Sequence, residues 1–194
     1  MAATAARAVN GQRVTVTAPT RRSTVAVVQR WVHRAGKWTR VGAAMRARIG
    51  AAGLTRHPSE KLPATPIGSF SLTQAFGAAP NTHHRVTQLR YIHIRYGDTW
   101  GARPNRRTYN RYYNCHCRGA TLFALRRSLF RYGLVIDYNR APVVPGAGSG
   151  FFLHVTNGHP TGGCVAVAAR NVRMLLNWLR PNLHPRIWIR AARR

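Results

Sequence analysis

The chain has 194 residues, 45% of them hydrophobic, enough for one folded unit with a real core and at most a small accessory piece. Lysine and arginine number 31 against three acids, Glu60, Asp98 and Asp137, for a formal net charge of +28, and only Lys37 and Lys61 among the cations are not arginine. The cations run from Arg7 to Arg194 instead of gathering in one tail, which argues against a disordered basic arm; without a base-reading motif, the charge implies only non-specific attraction to nucleic acid or other polyanions.

The N-terminal MAATAARAVN holds no apolar run of signal-peptide length, so any export leader is expected outside these residues. No later stretch is long and apolar enough to be a transmembrane segment. Residues 1–13 are expected to form a flexible N-terminal segment ahead of a single domain over 14–194. Val14-Thr15-Val16 and the run from Val25 to Val32 are short and β-branched, and Arg34-Ala35-Gly36-Lys37 supplies a turn before Trp38 to Met45, which predicts a β-meander. A loop carrying His57-Pro58 leads to TPIGSFSL, Thr65 to Leu72, where Pro66 and Gly68 turn the chain into another strand. Gly77 to Arg118 is polar, aromatic and arginine-rich without a clear period, and is expected to be a long, partly irregular excursion.

Regular signals return at Leu134-Val135-Ile136, a buried strand, followed by a Pro/Gly loop from Pro142 to Gly150 and a strand from Phe151 to Val155. Val165 and Val167 alternate as a strand does. Val172, Leu175, Leu176 and Leu179 fall at i, i+3, i+4 and i+7, a helix that must stop before Pro181. Arg186 to Ile189 closes the chain as a strand. The sum is mainly β with a few short helices.

Chemistry concentrates in FFLHVTNGHPTGGCV, Phe151 to Val165. A cysteine nucleophile needs a base to generate its thiolate and donors aimed at the oxyanion of its acyl intermediate. Gly162 and Gly163 free the backbone amides beside Cys164 to turn toward a carbonyl, and Asn157, Gly158 and Pro160 suit a reversal that returns Cys164 toward His154. Spacing alone leaves open the plainer reading of a small buried hydrophobe and a structural histidine.

TPIGSF at Thr65 to Phe70, VIDYN at Val135 to Asn139, PGAGSGFFLHV at Pro145 to Val155 and PTGGCVAV at Pro160 to Val167 resemble the YkuD-type L,D-transpeptidase catalytic domain. The resemblance runs from about Val14 to the end and points to a shortened-motif, actinobacterial-like branch. It implies a β-sandwich-like fold and a cysteine acyltransferase acting on peptidoglycan stem peptides, making 3→3 cross-links without metal or organic cofactor. Cys164 matches the nucleophile, His154 the activating histidine, and Gly162 and Gly163 the expected oxyanion amides; Thr161, Phe152 and Trp100 are candidate substrate contacts. The commoner motif reads Ser/Thr-His-Gly-Cys, whereas this chain has Thr161-Gly162-Gly163-Cys164, and Val155 follows His154 where a serine often sits. A backbone carbonyl is therefore the expected partner that orients His154. Such an enzyme belongs in the cell envelope or outside the cell.

Rival readings are a non-catalytic binder of anionic wall polymers or nucleic acid on the same scaffold, and an L,D-carboxypeptidase that trims stems. Cys115-His116-Cys117 is too tightly spaced for a structural zinc site, and leaves a strained disulfide and free thiols both open. The mixture of Trp100, Tyr109, Tyr112 and Tyr113 with Arg103, Arg106, Arg107 and Arg111 suits a lid over a peptide and its carboxylates, or stacking on bases. Asp137 reads as a structural ion-pair or turn residue.

Overall fold

A computed structural model describes residues 9–117 and 121–192; residues 1–8 of the expected N-terminal segment and Arg118 at the end of the excursion lie outside the described residues. The meander of the sequence forms as β1 (Val9–Ala18), β2 (Val25–Arg34) and β3 (Lys37–Arg48). Ala35 and Gly36 both take positive φ, 48° and 76°, between β2 and β3, the backbone a two-residue hairpin turn demands. The expected boundary at residue 14 falls inside β1. Residues 9–13 belong to the sheet because Gln12 is buried, donating to the Trp178 carbonyl (2.8 Å) and accepting from the Arg180 amide (2.7 Å).

Short strands follow: β4 (Leu54–Thr55), β5 (Thr65–Pro66), β6 (Gly68–Ser71), β7 (Gln74–Gly77), β8 (Arg90–His93), β9 (Asp98–Trp100) and β10 (Tyr112–Asn114). The helix α1 (Thr121–Leu125) precedes β11 (Tyr132–Val135), β12 (Phe152–Val155), β13 (Val165–Val167), α2 (Ala169–Trp178) and β14 (Arg186–Ala191). The fold is mainly β, as composition and periodicity indicate. Ten strands make one curled sheet in the order β6-β14-β1-β2-β3-β13-β12-β11-β7-β8.

Alternation gives this sheet two different faces. Inward residues such as Val14, Val16, Val28, Leu153, Val165 and Ile187 form the main core with Val172, Leu175 and Leu176 of α2, each of which is fully buried. Burial of each such side chain stabilises the fold by about 1.5–3 kcal/mol. The 3.6-residue period of α2 is what turns these three, with Leu179 at its end, onto the sheet.

Among the described residues, the opposite face is covered over only part of its width. Phe76, Val135 and Phe152 project from it and meet Ile94, Trp100, Leu122 and Phe130, which the segment between β7 and β11 supplies as a second, smaller core. The excursion expected over 77–118 is thus irregular in its turns but carries short strands and an apolar underside. Its hairpin β9–β10 is fastened by Asp98, whose carboxylate accepts from the Arg95 amide (2.7 Å), the Tyr112 hydroxyl (2.8 Å) and the Asn114 amide group (2.8 Å). Cys115 and Cys117 are joined as a disulfide, so this run offers zinc no thiolate. Asp137 is structural: it accepts from the Thr73 hydroxyl (2.6 Å) and pairs with Arg140 (3.5 Å). Among the described residues, no helix is long and apolar enough to cross a membrane.

Candidate active site

β12 and β13 run parallel with Leu153 beside Val165 and His154 beside Ala166. Leu153, Val165 and Val167 enter the main core, so by alternation Phe152, His154, Cys164 and Ala166 all occupy the opposite face. Cys164 sits one pleat before Ala166, and generic strand spacing puts its Cα about 8 Å from that of His154, within reach for two side chains leaning together. The reversal through Asn157, Gly158 and Pro160 thus brings the cysteine back to the same side of the sheet as the histidine.

His154 is buried, 5% exposed, with its ring edge-on to Phe130 at 5.5 Å between centroids. Its Nδ1 lies 2.8 Å from the carbonyl oxygen of Val155. A carbonyl only accepts, so Nδ1 carries the proton and Nε2 is left with a free lone pair. Burial lowers the imidazole pKa below its usual 6.5, against a smaller opposing pull from that carbonyl, so the ring is neutral at pH 7.

The Cys164 thiol lies 3.5 Å from the Gly150 carbonyl, to which it donates, and accepts from the Phe152 amide at 3.3 Å. Burial pushes its pKa up to about 11, the Phe152 amide offsetting part of the rise. The resting pair is therefore thiol and neutral imidazole, with no hydrogen bond between them; a base must take the proton before sulfur becomes nucleophilic.

The loop before the cysteine is held by two threonines. Thr161 donates its hydroxyl to the Cys164 carbonyl (2.6 Å) and accepts the Gly163 amide (3.1 Å), while its own backbone bonds Ile49 and Ala51. Thr65, wholly buried, accepts the Gly50 amide (2.9 Å) and donates to the same Cys164 carbonyl (3.4 Å). The expected oxyanion amide of Gly163 and the candidate substrate contact Thr161 are thus bonded to each other in the resting loop. Gly163 has a steric role: at φ +134° an added Cβ would lie 2.7 Å from the Phe151 ring and 3.0 Å from the Ala64 carbonyl oxygen. Gly162 is exposed, with open space around the position of a Cβ, and neither its amide nor that of Cys164 has a hydrogen-bond partner among the described residues.

Phe152 and Trp100, the other candidate substrate contacts, are buried in the resting structure. They stack edge-on at 5.0 Å beneath the cysteine, 4% and 8% exposed. Trp100 Nε1 donates to Asn110 Oδ1 (3.0 Å), which also accepts the Gly150 amide (3.0 Å), and the Asn110 amide group donates to the carbonyls of Tyr138 and Asn139. Asn110 therefore fixes the segment whose Gly150 carbonyl receives the thiol. Nothing in its local sequence marks it, since an asparagine among arginines and tyrosines reads as a loop residue. Thr65 lay inside the TPIGSF motif, which flagged the segment but not the hydroxyl.

A family model for YkuD, the L,D-transpeptidase catalytic domain, matches residues 12–187. No curated protein and no solved structure matched the chain.

Proposed function

The chain belongs to the YkuD family of L,D-transpeptidase catalytic domains, and from that premise we propose that it is a cysteine acyltransferase joining peptidoglycan stem peptides by 3→3 cross-links. The observation that carries this reading is the placement of His154 and Cys164 on one sheet face, with Nδ1 of the histidine tied to the Val155 carbonyl and Nε2 free.

Nε2 takes the thiol proton of Cys164 as sulfur attacks the carbonyl of the third residue of a donor stem. The tetrahedral oxyanion accepts from the unpartnered amides of Cys164 and Gly162. When the carbon–nitrogen bond to the terminal D-alanine breaks, the imidazolium returns its proton to the departing amine, leaving a thioester. An amine of a neighbouring stem then attacks the thioester, gives a proton to Nε2, and expels the thiolate, which regains that proton. The Phe152 amide, donating to sulfur, stabilises the thiolate each time it forms. A thiol held near pKa 11 gains most from this arrangement, because ionisation is deferred until a carbonyl is in place.

Intact-mass spectrometry after incubation with a carbapenem tests the reading. The wild type is expected to gain one adduct and Cys164→Ala none. Acylation of the Cys164→Ala protein would exclude Cys164 as the nucleophile.

A further inference from the structure

The sheet face that bears His154 and Cys164 continues past the buried Ala166 of β13 onto β3, β2, β1 and β14, over which no helix or strand of the described residues packs. Register fixes the row: Ala166 lies beside His154, Arg48 beside Ala166, and Val25 beside Arg48. The same parity puts Arg13, Trp31, Trp38, Arg40, Arg46 and Trp188 outward, since their neighbours Val14, Val28, Met45 and Ile187 enter the core. Two grooves mark this face. One, of about 300 Å³, is lined by Val25, Val27, Arg46, Arg48, Thr156 and Ala166, and so starts at the register neighbour of His154. The other, of about 600 Å³, has Thr15, Gln29, Trp31, Arg40 and Arg190 around it and shares Pro19 and Val27 with the first.

Three of the chain's five tryptophans are on this open face. The Arg13 guanidinium is stacked between two of them, 3.8 Å from the Trp38 ring centroid and 3.5 Å from that of Trp188. Arg40 lies over Trp31 at 5.4 Å. All three acidic side chains are elsewhere, each accepting from a hydroxyl donor, so among the described residues no acidic side chain neutralises these arginines. Val25 and Val27 remain 39% and 47% exposed between the two grooves. A water-facing sheet ordinarily carries small polar residues; rigid rings and unpaired guanidinium groups in alternation fit an extended ligand with flat apolar faces and repeated negative charge.

We infer that this face is a docking track for a peptidoglycan glycan strand, its pyranose rings packing on Trp31 and Trp38 and its stem carboxylates pairing with Arg40, Arg46 and Arg48, so that one stem is delivered past Ala166 to the cysteine. The inference rests on the acyltransferase reading for its occupant. Nucleic acid fits less well, because the grooves lead to Ala166, the register neighbour of His154.

Co-sedimentation of the full chain with purified, insoluble peptidoglycan sacculi tests it, with Trp31→Ala/Trp38→Ala and Arg40→Gln/Arg46→Gln as variants and carbapenem acylation of each as a second readout. Either pair is expected to weaken sedimentation by about tenfold or more, a loss of at least 1.4 kcal/mol, while acylation by the small carbapenem stays unchanged, which also shows that the variants are folded. Undiminished sedimentation of both acylation-competent variants overturns the track. So does binding to duplex DNA that depends on the same residues while sacculi are not bound. If the wild type is never acylated by carbapenem yet its sedimentation still depends on these side chains, the acyltransferase reading fails and the track stands.

Discussion

One face of the ten-stranded sheet is finished in two ways. Over β12, β11 and β7 it is roofed by the segment between β7 and β11, whose Ile94, Trp100, Leu122 and Phe130 pack on Phe76, Val135 and Phe152. Over β3, β2, β1 and β14 no helix or strand of the described residues packs on it, and tryptophan and arginine stand in place of a roof. Cys164 and His154 stand at the seam. The roofed side gives them burial and fixed hydrogen bonds, and the open side begins beyond the buried Ala166, at Arg48 and Val25.

The contrast predicts unequal costs for comparable truncations. Phe76 is wholly buried and edge-on to Phe130 (5.5 Å) and Phe152 (5.0 Å), so Phe76→Ala is expected to destabilise the fold by about 3–5 kcal/mol in urea titration. Trp38 on the bare side is 36% exposed, and Trp38→Ala is expected to cost under about 1 kcal/mol. Similar losses at the two positions would erase the distinction between the halves.

Asn110 sharpens it further, because it transmits the roof's order to the cysteine. Asn110→Ala leaves the Gly150 amide and the Trp100 indole N–H without their acceptor and two carbonyls without their donor. A loss of about 1–3 kcal/mol is expected, together with carbapenem acylation slowed well beyond what the stability change explains. Retained wild-type acylation in a folded Asn110→Ala protein would show that the Gly150 carbonyl does not need this anchor. Gly163→Ala acts on the loop itself: the added methyl meets the Phe151 ring and the Ala64 carbonyl at a positive φ, for an expected cost of about 1–3 kcal/mol. Gly162→Ala, with open space around it, should cost far less, and a denaturation curve for each separates the two glycines.

These positions also mark how far the sequence could be read. The meander, the strand at Leu134, the helix over Val172 to Leu179 and the closing strand are legible because burial on one side imposes a period of 2 or 3.6. The pairing of β13 with β3 is not, since it brings together residues over a hundred positions apart and leaves no local trace. The candidate pair was legible as residue types, His154 and Cys164 flanked by glycines. Their hydrogen bonds were not: whether Gly163 offers an amide or only an absent side chain depends on where the Thr161 hydroxyl turns. The roof was the least legible part, because its strands have three or four residues and its order comes from Asp98 and Asn110, whose acceptor and donor roles reach across loops. Trp100 is ambiguous for the same reason, since a tryptophan among arginines reads alike whether it covers a core or a substrate.

The smallest expected effect separates the halves by pH. His154 lies at the edge of the roof, where burial lowers its pKa below 6.5, so the folded state holds the neutral ring and the unfolded chain binds the extra proton first. The stability that follows is fully present above pH 6.5 and is lost as pH falls from there through the lowered folded value. His154→Gln, which keeps a polar side chain of similar reach but cannot be protonated, should make urea midpoints flatter between pH 7.5 and 5.5 than those of the wild type. Asp137, whose pKa burial raises from 3.8, is present in both proteins and cancels in the comparison. An identical slope in the two proteins would mean that the imidazole is as well solvated in the fold as in the unfolded chain, and the neutral base that the acyl transfer requires at acidic pH would lose its physical basis.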